Sequence, residues 1–225
     1  MVCLSCLEKP RMETKQINVE TFLICFVAIS CVEGVRWLVA SWTPWNGMMF
    51  LGLARLIEIG LIFLIVSVRG NGLHSIGLGT HQILPGIKKG IIWAAGFGVI
   101  VFSAFLLLFL FKIDPLALIR TPLPSGHMDI LLFFALGGII APIAEEIFFR
   151  GILYGFFRRR GVFVALILST FLFVLPHLGS SGLPITQIVG GVLFAAAYEI
   201  EGSLMVPIMA HASGNMAIFS LSLLP

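Results

Sequence analysis

Along this 225-residue chain, long apolar stretches alternate with shorter joints, and the period-two alternation of a barrel strand is absent. Seven such stretches run approximately Phe22 to Trp42, Met48 to Val68, Gly90 to Phe111, Ile130 to Phe157, Val162 to Leu178, Pro184 to Ile200 and Ser203 to Leu224. A helix needs about 20 residues to cross about 30 Å of hydrocarbon, and most of these stretches approach or exceed that length. Backbone groups inside lipid must be satisfied within their own segment, so each stretch is predicted to be helical. The joints around Trp42 to Trp45 and Gly179 to Leu183 are short and uncharged, whereas Arg69 to Lys89 and Lys112 to Asp129 are longer and polar. The predicted fold is all-α, a polytopic membrane bundle of about seven transmembrane helices. Residues 1–129 would hold an N-terminal tail and three spans, and residues 130–225 a four-helix core.

Composition agrees with a bilayer protein. Hydrophobic residues make up 59% of the chain and charged residues 11%, with mean hydropathy +1.07. Soluble domains average about 25% charged residues, and so few charges cannot cover a soluble surface of this size. The net charge of +3 comes from scattered cations without a basic stripe, which argues against nucleic-acid partners. Cys3 and Cys6 have CxxC spacing, but no second ligand pair and no βαβ context accompanies them, so they read as incidental thiols. Glu8, Lys9, Arg11, Glu13, Lys15 and Glu20 precede the first apolar stretch, and it reads as an uncleaved anchor. With a cytoplasmic N-terminus, inside segments hold Lys9, Arg11, Lys15, Arg69, Lys88, Lys89, Arg158, Arg159 and Arg160, and outside segments only Lys112 and Arg120. That bias predicts N-in, C-out.

Charges within spans narrow the picture, because each costs about 2.5–3.5 kcal/mol at a helix centre unless paired or wet. Glu33 with Arg36, and Arg55 with Glu58, stand at i, i+3 and can self-neutralise or cross-pair between helices. They form either a clamp between the first two helices or a polar wall of a substrate cavity. In APIAEEIFFRG, Glu146 and Arg150 stand at i, i+4 in the order that favours an ion pair, which leaves Glu145 without an intrahelical cation. Adjacent helical residues diverge by about 100°, so Glu145 faces a different neighbour and must find water, a metal, a proton or a histidine. Candidate partners are His177, on the face of Phe173, and His211, on the face of Asn215. At ~1.5 Å per residue from the cytoplasmic ends, Glu145, His177, His211 and Asn215 lie roughly 20, 22, 14 and 20 Å deep. Pro142, Pro176 and Pro207 precede the polar residues closely and are expected to kink their helices, each leaving a carbonyl for water or a side chain to satisfy. His74, His81 and His127 are expected in polar loops, Glu199 and Glu201 as hydrated groups at the interface, and Arg158, Arg159 and Arg160 beside anionic lipid heads.

The motifs EExxxR (Glu145, Glu146, Arg150), FxxxH (Phe173, His177) and HxxxN (His211, Asn215) together resemble the CPBP family of intramembrane endopeptidases, also called the CAAX-protease and bacteriocin-processing or Abi family. All seven positions match, and the resemblance covers roughly Ile130 to the C-terminus. It implies that residues 130–225 form the catalytic membrane core, where a peptide bond is hydrolysed by a water that Glu145 activates with His177 beside it. His211 and Asn215 would stabilise the oxyanion, with Glu146, Arg150 and Phe173 in support. The chemistry is consistent: a carboxylate in a low-dielectric pocket is a suitable general base. The implied cofactor is none; a zinc ion held by Glu145, His177 and His211 is the minority alternative, although no HExxH helix is present.

A membrane-anchored or exported protein or peptide is the expected substrate, cut near its C-terminus or membrane segment, in a bacterial or archaeal cell membrane. The competing class is non-enzymatic: a membrane scaffold, a transporter-like protein or a peptide-immunity factor, since buried Glu, Arg and His also serve proton-coupled transport. The absence of an inverted repeat argues against a transporter.

Overall fold

A computed structural model describes residues 17–42, 47–69, 72–178 and 184–224. Among them are seven long helical rods and no strand. They are α1 (Val19–Trp42), α2 (Gly47–Arg69), α3 (Thr80–Leu110), α4 (His127–Arg160), α5 (Val162–His177), α6 (Ile185–Glu201) and α7 (Met205–Leu221). The bundle is all-α, and α1, α2, α3 and α4 are long and apolar enough to cross a membrane. Large apolar side chains such as Trp37, Phe102, Phe109 and Phe163 point outward, the arrangement expected where lipid replaces water as solvent.

The seven apolar stretches correspond to the seven rods, with one displaced boundary. Helix α3 begins at Thr80, not near Gly90, so His81, Lys88 and Lys89 are helical and the preceding joint shrinks to a short 3-10 turn, Leu73–Ile76. Close packing against α7 extends the helix. A Cβ on Gly86 would fall 2.2 Å from Ser203 Oγ, and one on Gly90 would fall 2.5 Å from Met209 Cβ, so the two backbones touch through small residues. His74 lies within the 3-10 turn and His127 opens α4, so neither histidine occupies a loop as expected.

Charges gather at one end of the bundle. Arg69 pairs with Glu20, Lys89 Nζ lies 2.5 Å from Glu201 Oε2, and Arg158 grips Glu199 through two bonds of 2.9 Å. Tyr154 also donates to Glu199, at 2.9 Å. Glu199 therefore ties α6 to α4 through Arg158, and Glu201 ties α6 to α3 through Lys89, in place of the hydrated acids and lipid-facing cation expected from sequence. Lys9, Arg11 and Lys15 lie outside the described residues, as do Cys3 and Cys6. Nearby, Gly77 takes a left-handed turn at φ 80°, and its carbonyl accepts from the Leu204 backbone N–H at 3.1 Å. A Cβ there would lie 3.0 Å from Leu204 N, so the turn requires glycine twice over. Tyr198 closes the same corner by donating to the Ile76 carbonyl at 3.0 Å.

Helix α4 runs through the centre and is irregular. Regular α-helix gives way to a π-turn at Leu136–Ile140, returns over Ala141–Glu146, and widens again over Ile147–Tyr154. Wide turns of this kind concentrate at functional positions, since they rotate the side chains that follow. Here they bracket Glu145 and Glu146. The first π-turn also lets α7 approach: a Cβ on Gly138 would meet Met216 Sδ at 2.5 Å.

Candidate active site

Glu146 is the hub of the site. Fully buried, it accepts at Oε1 from Arg150 Nη1 at 2.8 Å and from His211 Nδ1 at 2.8 Å. The first contact is the i, i+4 pair read from the sequence; the second crosses from α4 to α7. Arg150 is fully buried too, and Nη2 donates to the Gly191 carbonyl on α6 at 3.2 Å. Its guanidinium lies over Phe173 at 4.5 Å and over Phe194 at 5.4 Å. One ion pair thus ties α4 to α5, α6 and α7. Removing either partner of such a pair leaves an uncompensated buried charge, at a cost of about 3–5 kcal/mol.

His211 is positioned from three sides. A carboxylate can only accept, so Nδ1 carries a proton toward Glu146 and Nε2 faces the other way. There it meets Glu145, whose Oε2 lies 3.8 Å from Nε2. The Phe194 ring stacks on the imidazole at 4.6 Å and 20°, and the Phe173 ring meets it edge-on at 5.8 Å. The 3.8 Å gap is too long for a direct hydrogen bond and short enough for one water bonded to both groups.

Proline chemistry places the other two polar residues. Pro142 has no N–H to give to Gly137, the carbonyl five residues back in the π-turn, and Asn215 Nδ2 donates to that carbonyl at 2.9 Å. The carbonyl expected to need a side chain has one, and it is the site asparagine. On α5, the last turn tightens to 3-10 at Leu175–His177, where Pro176 lacks an N–H. His177 Nδ1 donates to the Phe173 carbonyl at 3.0 Å, which leaves Nε2 facing away from that helix turn. Phe173 lies between the two histidines, its ring 5.5 Å from that of His177 and 5.8 Å from that of His211.

Of the seven positions singled out in sequence, Glu145, Glu146, Arg150, Phe173 and His211 meet side by side, His177 adjoins Phe173, and Asn215 reaches the Gly137 carbonyl. Residues 127–217 match the family model described as Rce1-like, the type II CAAX prenyl endopeptidases. This segment is a CAAX-protease-family domain. No curated protein and no solved structure gave a match. The CAAX-protease domain contains all seven motif positions and spans α4 to most of α7, so α1, α2 and α3 lie outside it.

Sequence reasoning missed three parts of the domain. Phe194 stacks on His211, Gly191 supplies the carbonyl for Arg150, and Gly137 supplies the one for Asn215. A Cβ on Gly191 would fall 2.7 Å from Thr170 Cγ2, so a small residue was the available signal, though it is weak among 24 glycines. Glu146 keeps the expected pair with Arg150 and adds a bond to His211 that the spacing did not announce. Among the described residues, no three His, Cys, Asp or Glu side chains stand close enough to hold a metal ion, so Glu145, His177 and His211 are not gathered as a zinc set.

Proposed function

We propose that the site hydrolyses a peptide bond within the membrane, with Glu145 as general base. The observation that carries this reading is the Glu145 carboxylate facing His211 Nε2 across 3.8 Å while Glu146 holds the opposite nitrogen of the same ring. A CAAX-protease-family domain implies a peptidase, and the geometry supports a division of labour within it. Glu145 takes a proton from water as the water oxygen bonds to the scissile carbonyl carbon. The oxyanion that forms accepts from the second N–H of Asn215 Nδ2 and lies beside His211, whose other nitrogen Glu146 holds. Glu145 then passes its proton to the departing amine, and the products are a carboxylate and an amine. His177 contributes Nε2 beside Phe173, suited to orienting the same water. Oxyanion donors of this type are worth about 2.7–4 kcal/mol each in other hydrolases.

No step in this scheme needs a metal, and residues 130–225 act as the catalytic core. The cation-rich end marked by Arg69, Lys89 and Arg158 is read as cytoplasmic, in a bacterial or archaeal cell membrane. By depth along the helices, the site lies in the middle to outer part of the bilayer, which favours an exported or membrane-anchored substrate over a cytosolic prenylated one. The test is cleavage by the purified full-length chain in liposomes, with peptides of both classes, before and after chelation. Cleavage of the exported class that survives chelation is expected. Loss of activity on removal of stoichiometric zinc, or cleavage of prenylated peptides alone, would overturn the corresponding part.

A further inference from the structure

The last turn of α4 tightens to 3-10 over Arg158–Arg160, and Gly161, at φ 109°, ends the rod. Consecutive residues of such a turn point about 120° apart, so three adjacent arginines meet three different surroundings. Arg158 turns to Glu199 on α6. Arg159 and Arg160 are exposed and line, with Val19 and Phe156, a cavity of about 220 Å³ where the start of α1 meets the end of α4. A single water needs about 10–15 Å³, so a whole phosphate group has room there. The Arg160 guanidinium lies over the Phe156 ring at 5.9 Å, and Phe156 stacks on Phe22 of α1 at 4.0 Å and 9°. An aromatic floor shared by the two helices thus orients one arginine at the cavity.

The acids at this end of the bundle are already taken. Glu20 pairs with Arg69, Glu199 with Arg158 and Glu201 with Lys89, and among the described residues no acid stands within ion-pair distance of Arg159 or Arg160. Helix α4 is long and apolar enough to cross a membrane, which sets its terminal turn at the depth of the lipid headgroups. We propose that Arg159 and Arg160, with Val19 and Phe156, form a binding site for the phosphate of an anionic membrane lipid, seated between α1 and α4. Each guanidinium presents paired N–H donors that match phosphate oxygens, and Val19 with Phe156 offers an apolar wall to the carbons next to the phosphate. A zwitterionic lipid would bring its own ammonium to two cations that no acid neutralises, which favours an anionic one. The end read as cytoplasmic also faces the more anionic leaflet. None of the residues assigned to hydrolysis takes part, so the lipid site stands or falls independently of Glu145.

The test reconstitutes the full-length chain in phosphatidylcholine liposomes and in an even mixture of phosphatidylcholine and phosphatidylglycerol, and follows the melting temperature in both. The mixture is expected to raise it by about 3 °C, because a ligand held only by the folded state stabilises that state. The double variant Arg159→Gln/Arg160→Gln should lose most of that rise while melting within about 1 °C of the parent in phosphatidylcholine alone. Lys88→Gln removes an exposed cation that does not line the cavity and should keep the full rise. Val19→Trp fills the cavity with no change of charge and should lose the rise. Inorganic phosphate added to phosphatidylcholine liposomes should give no comparable rise. A rise retained by the double variant or by Val19→Trp, or lost equally by Lys88→Gln, would reduce the effect to general surface charge and overturn the proposal. An equal rise with inorganic phosphate would make the ligand a free anion and overturn the lipid assignment. A fall in phosphatidylcholine shared by Arg159→Gln/Arg160→Gln and Glu8→Gln/Glu13→Gln would make carboxylates of the N-terminal tail the occupant, and would overturn it too.

Discussion

Two regions of this molecule bury acids and bases in the membrane and resolve them differently. In α1 and α2, Glu33, Arg36, Arg55 and Glu58 neutralise one another through contacts of 2.6–2.9 Å. Around α4, Glu145, Glu146 and Arg150 bring two acids for one arginine, and the second acid faces a histidine across 3.8 Å. A set with equal numbers of acids and bases braces helices. A set with an acid in excess leaves a carboxylate able to act on something else. On the proposed mechanism, chemistry sits where acids outnumber bases, which is a sharper criterion than the presence of charge in a span.

The largest way to disturb that contrast is Glu146→Gln. The substitution preserves volume but removes the charge that supports His211 Nδ1, as loss of the orienting acid does in a catalytic triad, and kcat should fall about 10³- to 10⁴-fold with little change in KM. Steady-state cleavage of a fixed peptide would check it; a fall confined to KM would show that Glu146 serves binding only. Next in size is Asn215→Ala, which removes an oxyanion donor and strips the Gly137 carbonyl of its partner. Its kcat should drop about 10²- to 10³-fold, and Asn215→Gln, too long to reach both acceptors, should not rescue it. Arg150→Met acts on the scaffold. With Glu146 left buried and half-compensated, the melting temperature should fall by about 10 °C, measured by thermal unfolding in one detergent. A shift under about 2 °C would mean that the buried pair contributes little.

The fold was legible where the signal is local. Apolar run length marked the seven rods, and i, i+3 and i, i+4 spacing correctly gave the pairs Glu33–Arg36, Arg55–Glu58 and Glu146–Arg150. Even the carbonyl orphaned by Pro142 followed from proline's missing N–H. The contacts that escaped are those set by the register between helices. Glu146 to His211 joins residues 65 apart, and Arg150 to Gly191 joins residues 41 apart. Spacing on one helix carries no information about which turn of another helix lies opposite. The π-turns add to this, since each shifts the phase of α4 relative to an ideal 3.6-residue period, and Leu136–Ile140 shows no pattern that separates it from ordinary apolar helix. The early start of α3 at Thr80 was hidden for a similar reason: Lys88 and Lys89 read as a polar joint until Glu201 is seen to pair with Lys89 and Gly90 to pack against α7.

The most direct measurement makes one chemical change in each region. Single-turnover cleavage by full-length Glu145→Gln is compared with that by Glu33→Gln in the same liposomes, each variant first shown to melt cooperatively. Cleavage should be undetectable for Glu145→Gln, at least about a thousandfold below the parent, and should persist within about threefold for Glu33→Gln. A Glu145→Gln variant that cleaves at the parental rate would contradict a Glu145-based mechanism.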